Sequence, residues 1–283
     1  AFARRVAGLG RLPVGEGATT RAARREVGAL VVGAGPSGMA AAIALRTRGR
    51  AVEVIDDALE PGGSARAVLD DRFGALVAKF VKCTQKDAKN AVKLRLRTTA
   101  GAIYGDDVLV AFDGGAEILR AKTLVLATGA HDGVLAFEGN DVPGVMSARA
   151  GAWLLRRGVD LGGRVVVAVA EGGGPFGDLY ARDAPGATLV TEAPTKVSGS
   201  SRVKRVAFGK KELAATALLV DAPRAPAYEL AEQAGAKLEH EPRGFVVRTE
   251  NGKIRDGLYA VGELTGTSLD PGAIAAEVDA IRF

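Results

Sequence analysis

A short apolar run at residues 28–32 meets three spaced glycines, Gly33, Gly35 and Gly38, and passes directly into a second apolar run at 39–45. Few folds accommodate such a junction. A buried strand must end in a tight turn that starts a helix, and each glycine has its own task there. Gly33 permits the turn, Gly35 removes a side chain that would keep a phosphate from the backbone, and Gly38 lets the helix lie close to the sheet. With Pro36 and Ser37 completing the turn, the helix start presents free N–H groups and a partial positive charge to an anion. A membrane-spanning helix is excluded across 27–45, because Gly, Pro and Ser interrupt it where a span must be continuous.

Among 38 glycines, a GxGxxG match by chance is ordinary, so the flanking sequence decides. Residues 39–50 have helical length and end near Gly49, and 51–55 form a second apolar strand that closes on Asp56 and Asp57. Asp56 falls 23 residues after Gly33, where a dinucleotide fold places the carboxylate that binds a ribose. The chain is therefore predicted to bind a dinucleotide at 33–57.

Composition removes other classes. At 283 residues, with 47% hydrophobic and 25% charged residues, the chain can build two modest α/β domains. The net charge of +5 is concentrated in residues 1–26, which hold six arginines against two acids. A basic arm on a near-neutral body argues against a broad nucleic-acid face; the arm either docks on a partner or is solvated. One cysteine, Cys83, excludes an internal disulfide and an iron–sulfur cluster ligated by this chain alone. With only His131 and His240, a histidine-based metal site lacks ligands, so no metal is expected. No Gly-X-Ser-X-Gly elbow supports a hydrolase.

Further along, Gly62, Gly63 and Ser64 form a loop whose amides face an anionic ligand. Period-two alternation predicts an antiparallel sheet from strands at 92–98, 103–110 and 117–120. A separate apolar strand at 121–127 ends in Ala127-Thr128-Gly129-Ala130-His131. Residues 145–158 are predicted helical, with Trp153, Leu154 and Leu155 on the apolar side. The strand at 164–170 then meets a second GxGxxG at 172–177. Only residues 178–184 separate that turn from the next strand, so the helix is short; the turn is either a second nucleotide site or a structural relic, and the shortness favours the relic. Near the end, 256–263 is a strand closing on Gly262 and Glu263. The helix at 270–281 follows, with Asp270 as N-cap and Pro271 at its first position; Gly272 and Ala273 lie in its first turn.

Four elements in this order, GAGPSG at 33–38, EPGG at 60–63, ATGA at 127–130 and GLYAVGE at 257–263, resemble the two-dinucleotide-binding-domain flavoproteins over residues 27–283. The stretches 126–132 and 140–146 are similar, more narrowly, to the alpha (FAD) subunits of heteromeric amine and amino-acid oxidoreductases. That group includes sarcosine oxidase alpha, the hydroxyproline and proline dehydrogenase subunits, and the corresponding subunits of opine oxidase and hydrogen cyanide synthase. The resemblance implies an α/β fold of two Rossmann-like three-layer domains, with the second, at 146–249, inserted into a discontinuous FAD domain at 27–145 and 250–283. It implies FAD held by Gly33, Gly35, Pro36, Ser37 and Gly38 at the pyrophosphate, by Asp56 and Asp57 at the ribose, and by Gly62, Gly63 and Ser64 in the loop above. Ala127, Thr128 and Gly129 would pass beside the cofactor, and Gly262, Glu263, Gly272 and Ala273 would close the site. Glu263 stands where the family usually has Asp.

The function implied is that of an FAD-binding, electron-transferring subunit of a multi-subunit cytoplasmic oxidoreductase oxidising an amine or amino acid. Its partners would be a substrate-oxidising flavoprotein subunit and a small iron–sulfur subunit, with no nucleic acid and no membrane span. His131 is the one ionisable side chain placed near the flavin as a catalytic candidate. Larger alpha subunits carry cysteine-rich and C-terminal regions, so the chain corresponds to the FAD core of such a subunit. Two alternatives stand: a stand-alone NAD(P)H-dependent flavin reductase using the 172–177 turn, and a non-catalytic nucleotide-binding assembly subunit.

Overall fold

A computed structural model describes residues 22–67, 72–85 and 91–283. The basic arm, up to residue 21, lies outside the described residues. The strand Ala23–Val32 is the centre of the first sheet, paired in parallel with Val52–Ile55 on one side and Gly115–Leu126 on the other. Both its faces are buried. Ala29 and Val31 pack on Met39, Ala42 and Ile43 of the helix Pro36–Thr47, while Leu30 and Val32 face Val108, Val110 and Leu119. Burial on two sides is why the run is apolar throughout rather than alternating.

Across this sheet the main path runs Lys253–Arg255, Leu258–Ala260, Gly115–Leu126, Ala23–Val32, Val52–Ile55, Lys93–Arg95. The segment after residue 257 thus returns to the first sheet, with Leu258–Ala260 parallel to Leu124, Val125 and Leu126. The closing helix Pro271–Ala280 then adds Val278 to the core beneath Pro36–Thr47. Its cap is the one read from sequence: Asp270 accepts from the Ala273 N–H at 2.9 Å, and Pro271 opens the helix.

A second, four-stranded sheet is wholly parallel, in the order Thr188–Val190, Val165–Val169, Ala217–Asp221, Val145–Ser147. The helices Ala148–Arg156 and Phe176–Asp183 cover one face. The antiparallel strands Lys196–Gly199, Val203–Phe208 and Lys211–Ala214 cover the other. Each sheet is therefore the middle of three layers, the arrangement of a Rossmann-like α/β protein.

Several local readings change. The first strand starts at Ala23, inside the stretch read as arm, because Arg25 binds the carboxylates of Glu53 at 2.5 Å and Glu117 at 3.0 Å. Burial works against the charged form of Glu53, and the Arg25 and Arg95 hydrogen bonds outweigh it, holding the carboxyl below its ordinary range. The strand read at 92–98 is two: Lys93–Arg95 joins the parallel edge beside Val52–Ile55, and Thr98–Tyr104 begins an antiparallel meander. Arg97 makes the break, with φ +50°. The strands read at 117–120 and 121–127 are one, Gly115–Leu126. The helix read at 145–158 begins only at Ala148, after the strand Val145–Ser147, and Ser147 caps the Ala150 N–H at 3.1 Å. Trp153 is not on its apolar side. That face is Ala148, Gly151 and Ala152, and Trp153 is 39% exposed between Arg66 and Arg157.

Candidate functional site

The C-terminal ends of Ala23–Val32, Val52–Ile55 and Gly115–Leu126 open onto a cleft of about 680 Å³. It lies at the topological switch point, where open α/β sheets bind ligands. The glycine turn forms its floor. A Cβ on Gly33, whose φ is +105°, would come 2.3 Å from the Ala127 carbonyl oxygen, and one on Gly38 would come 1.9 Å from that of Gly33. Those glycines press the turn onto the sheet. Gly35 is different: the nearest atom to its missing Cβ is Gly63 Cα at 3.9 Å, so it leaves open space. Among the described residues the N–H groups of Gly35, Ser37 and Gly38 meet no protein acceptor. Open amides at a helix start beside a bare Cα fit a diphosphate.

Around this floor the structure gathers most of the residues picked from sequence. Gly33, Gly35, Pro36, Ser37, Asp56, Asp57, Gly63, Ser64, Ala127, Thr128, Gly129, His131 and Glu263 all line the cleft. Asp56 folds back onto the turn, accepting from the Ala34 N–H at 2.5 Å and the Ala58 N–H at 2.8 Å. Burial pushes its carboxyl up, and the two amides offset this only in part. Each oxygen keeps a further lone pair for a ligand. Asp57 is exposed at the rim. Gly38, Gly62, Gly262, Gly272 and Ala273 lie outside the lining. Gly62 donates to the Ala34 carbonyl at 2.8 Å and so ties the 60–64 loop over the turn. Gly262 donates to Glu277 at 2.8 Å, and a Cβ on it would meet Ser37 Oγ at 2.4 Å. The Ala273 amide is taken by Asp270, and Gly272 is exposed.

On the far wall, Thr128 donates through Oγ1 to the Ala227 carbonyl at 2.7 Å, and Ala227 N–H returns to Gly129 at 3.0 Å. This ties the first sheet's strand end to the segment leaving the second sheet. His131 is exposed near the mouth, 3.3 Å from Glu229.

An ionic cluster unseen in the sequence closes the inner end. Arg224 binds Glu263 at 2.8 Å, donates to the Ala130 carbonyl at 2.6 Å, and stands over the Phe176 ring. Burial pushes the guanidinium down and the Glu263 carboxyl up, and the charge of each offsets this for the other only in part. Asp132 accepts from Arg149 at 2.7 Å and Ser147 at 2.7 Å. Burial opposes its charge, but those two bonds prevail and hold its carboxyl below the ordinary range. Arg66, Arg149, Trp153 and Arg224 also line the cleft, and none was picked from sequence. The only signal for Arg224 was its place just past a strand end, in Pro223-Arg224-Ala225-Pro226. Beyond Arg224 and Glu263 lies a second cleft of about 900 Å³, bordered by Glu171, Gly172, Gly174 and Pro175 of the second glycine turn.

Comparison with known proteins places this architecture. A family model described as pyridine nucleotide-disulphide oxidoreductase matches residues 28–177, more than half of the chain. The chain belongs to that family. It is thus an FAD-dependent oxidoreductase by family, as its motifs implied. Among curated proteins of similar sequence, the sarcosine oxidase alpha subunit of Corynebacterium sp. (strain P-1) is 35% identical over 195 residues, 61% of this chain and 20% of that protein. An opine oxidase subunit of Rhizobium meliloti is 25% identical over 320 residues, 88% of this chain and 60% of that one. The chain spans only 15–23% of the length of the sarcosine oxidase alpha subunits it matches. Of solved structures, L-proline dehydrogenase from P. horikoshii superposes with a TM-score of 0.78 at 25% identity, covering 92% of this chain and 55% of that one. Thioredoxin reductase of T. acidophilum, at 19% identity and a TM-score of 0.67, shares the fold. Among the described residues no group of side chains forms a metal site, and no helix is long and apolar enough to cross a membrane.

Proposed function

We propose that this chain is the FAD-binding part of a multi-subunit oxidoreductase that oxidises an amine or amino acid, and that it carries electrons between a partner's site and an acceptor. The observation that carries the flavin assignment is the cleft floor: three amides that meet no protein acceptor among the described residues stand beside a glycine whose missing side chain leaves room for a phosphate. The substrate class and the partners draw support from the named relatives, which are a proline dehydrogenase and subunits of a sarcosine oxidase and an opine oxidase.

In this reading residues 27–145 and 250–283 form the FAD domain and 146–249 the inserted one. Gly35, Ser37 and Gly38 hold the pyrophosphate, and Asp56 and Asp57 the adenosine ribose. Gly63 and Ser64 cover it, while Thr128 and Gly129 flank the isoalloxazine end. Glu263, paired with Arg224, stands at the same end. Gly62, Gly262, Gly272 and Ala273 support the cradle from behind. His131 and Glu229 stand at the mouth, where a proton can be exchanged with solvent. Bound FAD supplies the redox chemistry; the protein orients it and tunes its electronics.

Native purification followed by cofactor extraction tests the assignment. A flavin-bearing chain that co-purifies with another polypeptide, and whose flavin is bleached by an amino acid only when that polypeptide is present, is the predicted result. Oxidation of an amino acid by the isolated chain contradicts the need for a partner, and bleaching by NADH alone points to a stand-alone reductase.

A further inference from the structure

Two glycine turns of identical spacing occur in this chain, 33/35/38 and 172/174/177, and two of the three amides open in the first, those of Gly35 and Gly38, have counterparts in the second that face a carboxylate. Gly35 and Gly38 meet no protein acceptor among the described residues. Their counterparts Gly174 and Gly177 both face the carboxylate of Asp221, and Gly177 donates to its Oδ2 at 2.5 Å. The rest of the second turn offers little more. Gly173 N–H is bonded to the Ala170 carbonyl at 2.8 Å, Pro175 has no N–H, and Phe176 N–H, the counterpart of Ser37, meets no protein acceptor among the described residues.

Asp221 ends the strand Ala217–Asp221, beside the strand that leads into the turn, and is 3% exposed. A Cβ on Gly173 would come 2.1 Å from its carbonyl oxygen, so the turn rests directly on this residue. Its carboxylate thus lies at the start of the helix Phe176–Asp183, the position where a phosphate is otherwise favoured. A diphosphate brought to the same amides meets a buried negative charge at close range, with little water to screen it.

We propose that Asp221 denies the second glycine turn to a dinucleotide diphosphate, leaving the chain one nucleotide site. This deepens the proposed function, and it rests on that reading only for its consequence: no nicotinamide cofactor hands electrons to the flavin cleft from within this chain.

The test is calorimetric titration of the flavin-loaded full chain with NADH, NADPH and ADP-ribose, for the wild type, Asp221→Asn and Asp221→Ser. The wild type is expected to show no saturable binding up to millimolar ligand, and the variants to gain affinity at least about tenfold. Micromolar binding by the wild type overturns the proposal, as does a pair of folded variants that bind no better. Should Asp221→Ser be unstable, the isosteric Asp221→Asn decides. Visible absorbance of the same samples reports the flavin separately: wild-type chain that lacks flavin, yet binds ADP-ribose only after Asp221 is replaced, contradicts the flavin reading and leaves this inference standing.

Discussion

Arg224 and Glu263, 39 residues apart in sequence, form an ion pair at 2.8 Å in the wall between the two clefts. The same guanidinium holds the Ala130 carbonyl, so one side chain joins three passes of the chain. Its own segment leaves the second sheet, Ala130 follows the first sheet's longest strand, and Glu263 lies on the return. Arg224→Ala strands a buried carboxylate and is predicted to cost about 3–5 kcal/mol, the usual penalty for breaking a buried pair. Pairing that change with Glu263→Gln should restore part of the loss. Urea denaturation of the two single variants and the double variant checks this; strictly additive losses would mean that the residues do not act as a unit.

Gly35 and Gly38 should respond differently to a side chain. Gly35→Val fills open space in the cleft, so the chain is predicted to fold with little change in stability and to lose more than about 90% of its bound flavin, since an added side chain blocks phosphate approach. Gly38→Ala meets backbone 1.9 Å away and should destabilise the fold by about 1–3 kcal/mol or more. Flavin-to-protein ratios and thermal melts of the two variants separate the effects. Equal flavin loss with equal destabilisation would contradict this division of labour.

Trp153 is the only tryptophan, and it lines the cleft with Arg157 4.6 Å from its ring centre and Arg66 at 5.6 Å. Adding FAD to flavin-free protein should therefore quench the intrinsic tryptophan fluorescence saturably, in step with flavin uptake. Fluorescence indifferent to FAD would place the cofactor away from this wall.

Asp132, held below the ordinary carboxylate range, gives a pH signature. A carboxyl whose folded pKa is depressed stabilises the fold fully above its unfolded value, about 3.9, and loses that contribution as pH falls through the folded value. Asp132→Asn is thus predicted to lower stability by about 1–2 kcal/mol at neutral pH, because hydrogen bonds to a charged group are lost. The difference from wild type should shrink only below about pH 4. A difference that is unchanged from neutral to acid pH would show that the charge is not what matters.

What was legible in the sequence is what consecutive residues determine. The strand end, glycine turn and helix at 28–47 are set by neighbours, as is the Asp270–Pro271 start of the last helix, whereas the strand's start at Ala23 depends on the distant Glu53 and Glu117. Family motifs added the return of residues 258–260 to the first sheet. Helical spacing assigned Trp153 to a core face, yet its surroundings are set by Arg66, a residue 87 positions away. Nothing next to Arg224 in sequence shows that Ala130, Phe176 and Glu263 converge on it in the fold. Asp221 ends a strand, and nothing in its neighbourhood in sequence shows the amides of Gly174 and Gly177 above it.

The central claim, one FAD per chain in the cleft at Gly33–Glu263, is tested most directly by denaturing the natively purified protein and quantifying the released nucleotides against protein concentration. One FAD per chain, with no nicotinamide nucleotide, is the predicted result. A chain that releases no flavin, or only an adenine nucleotide, would contradict it.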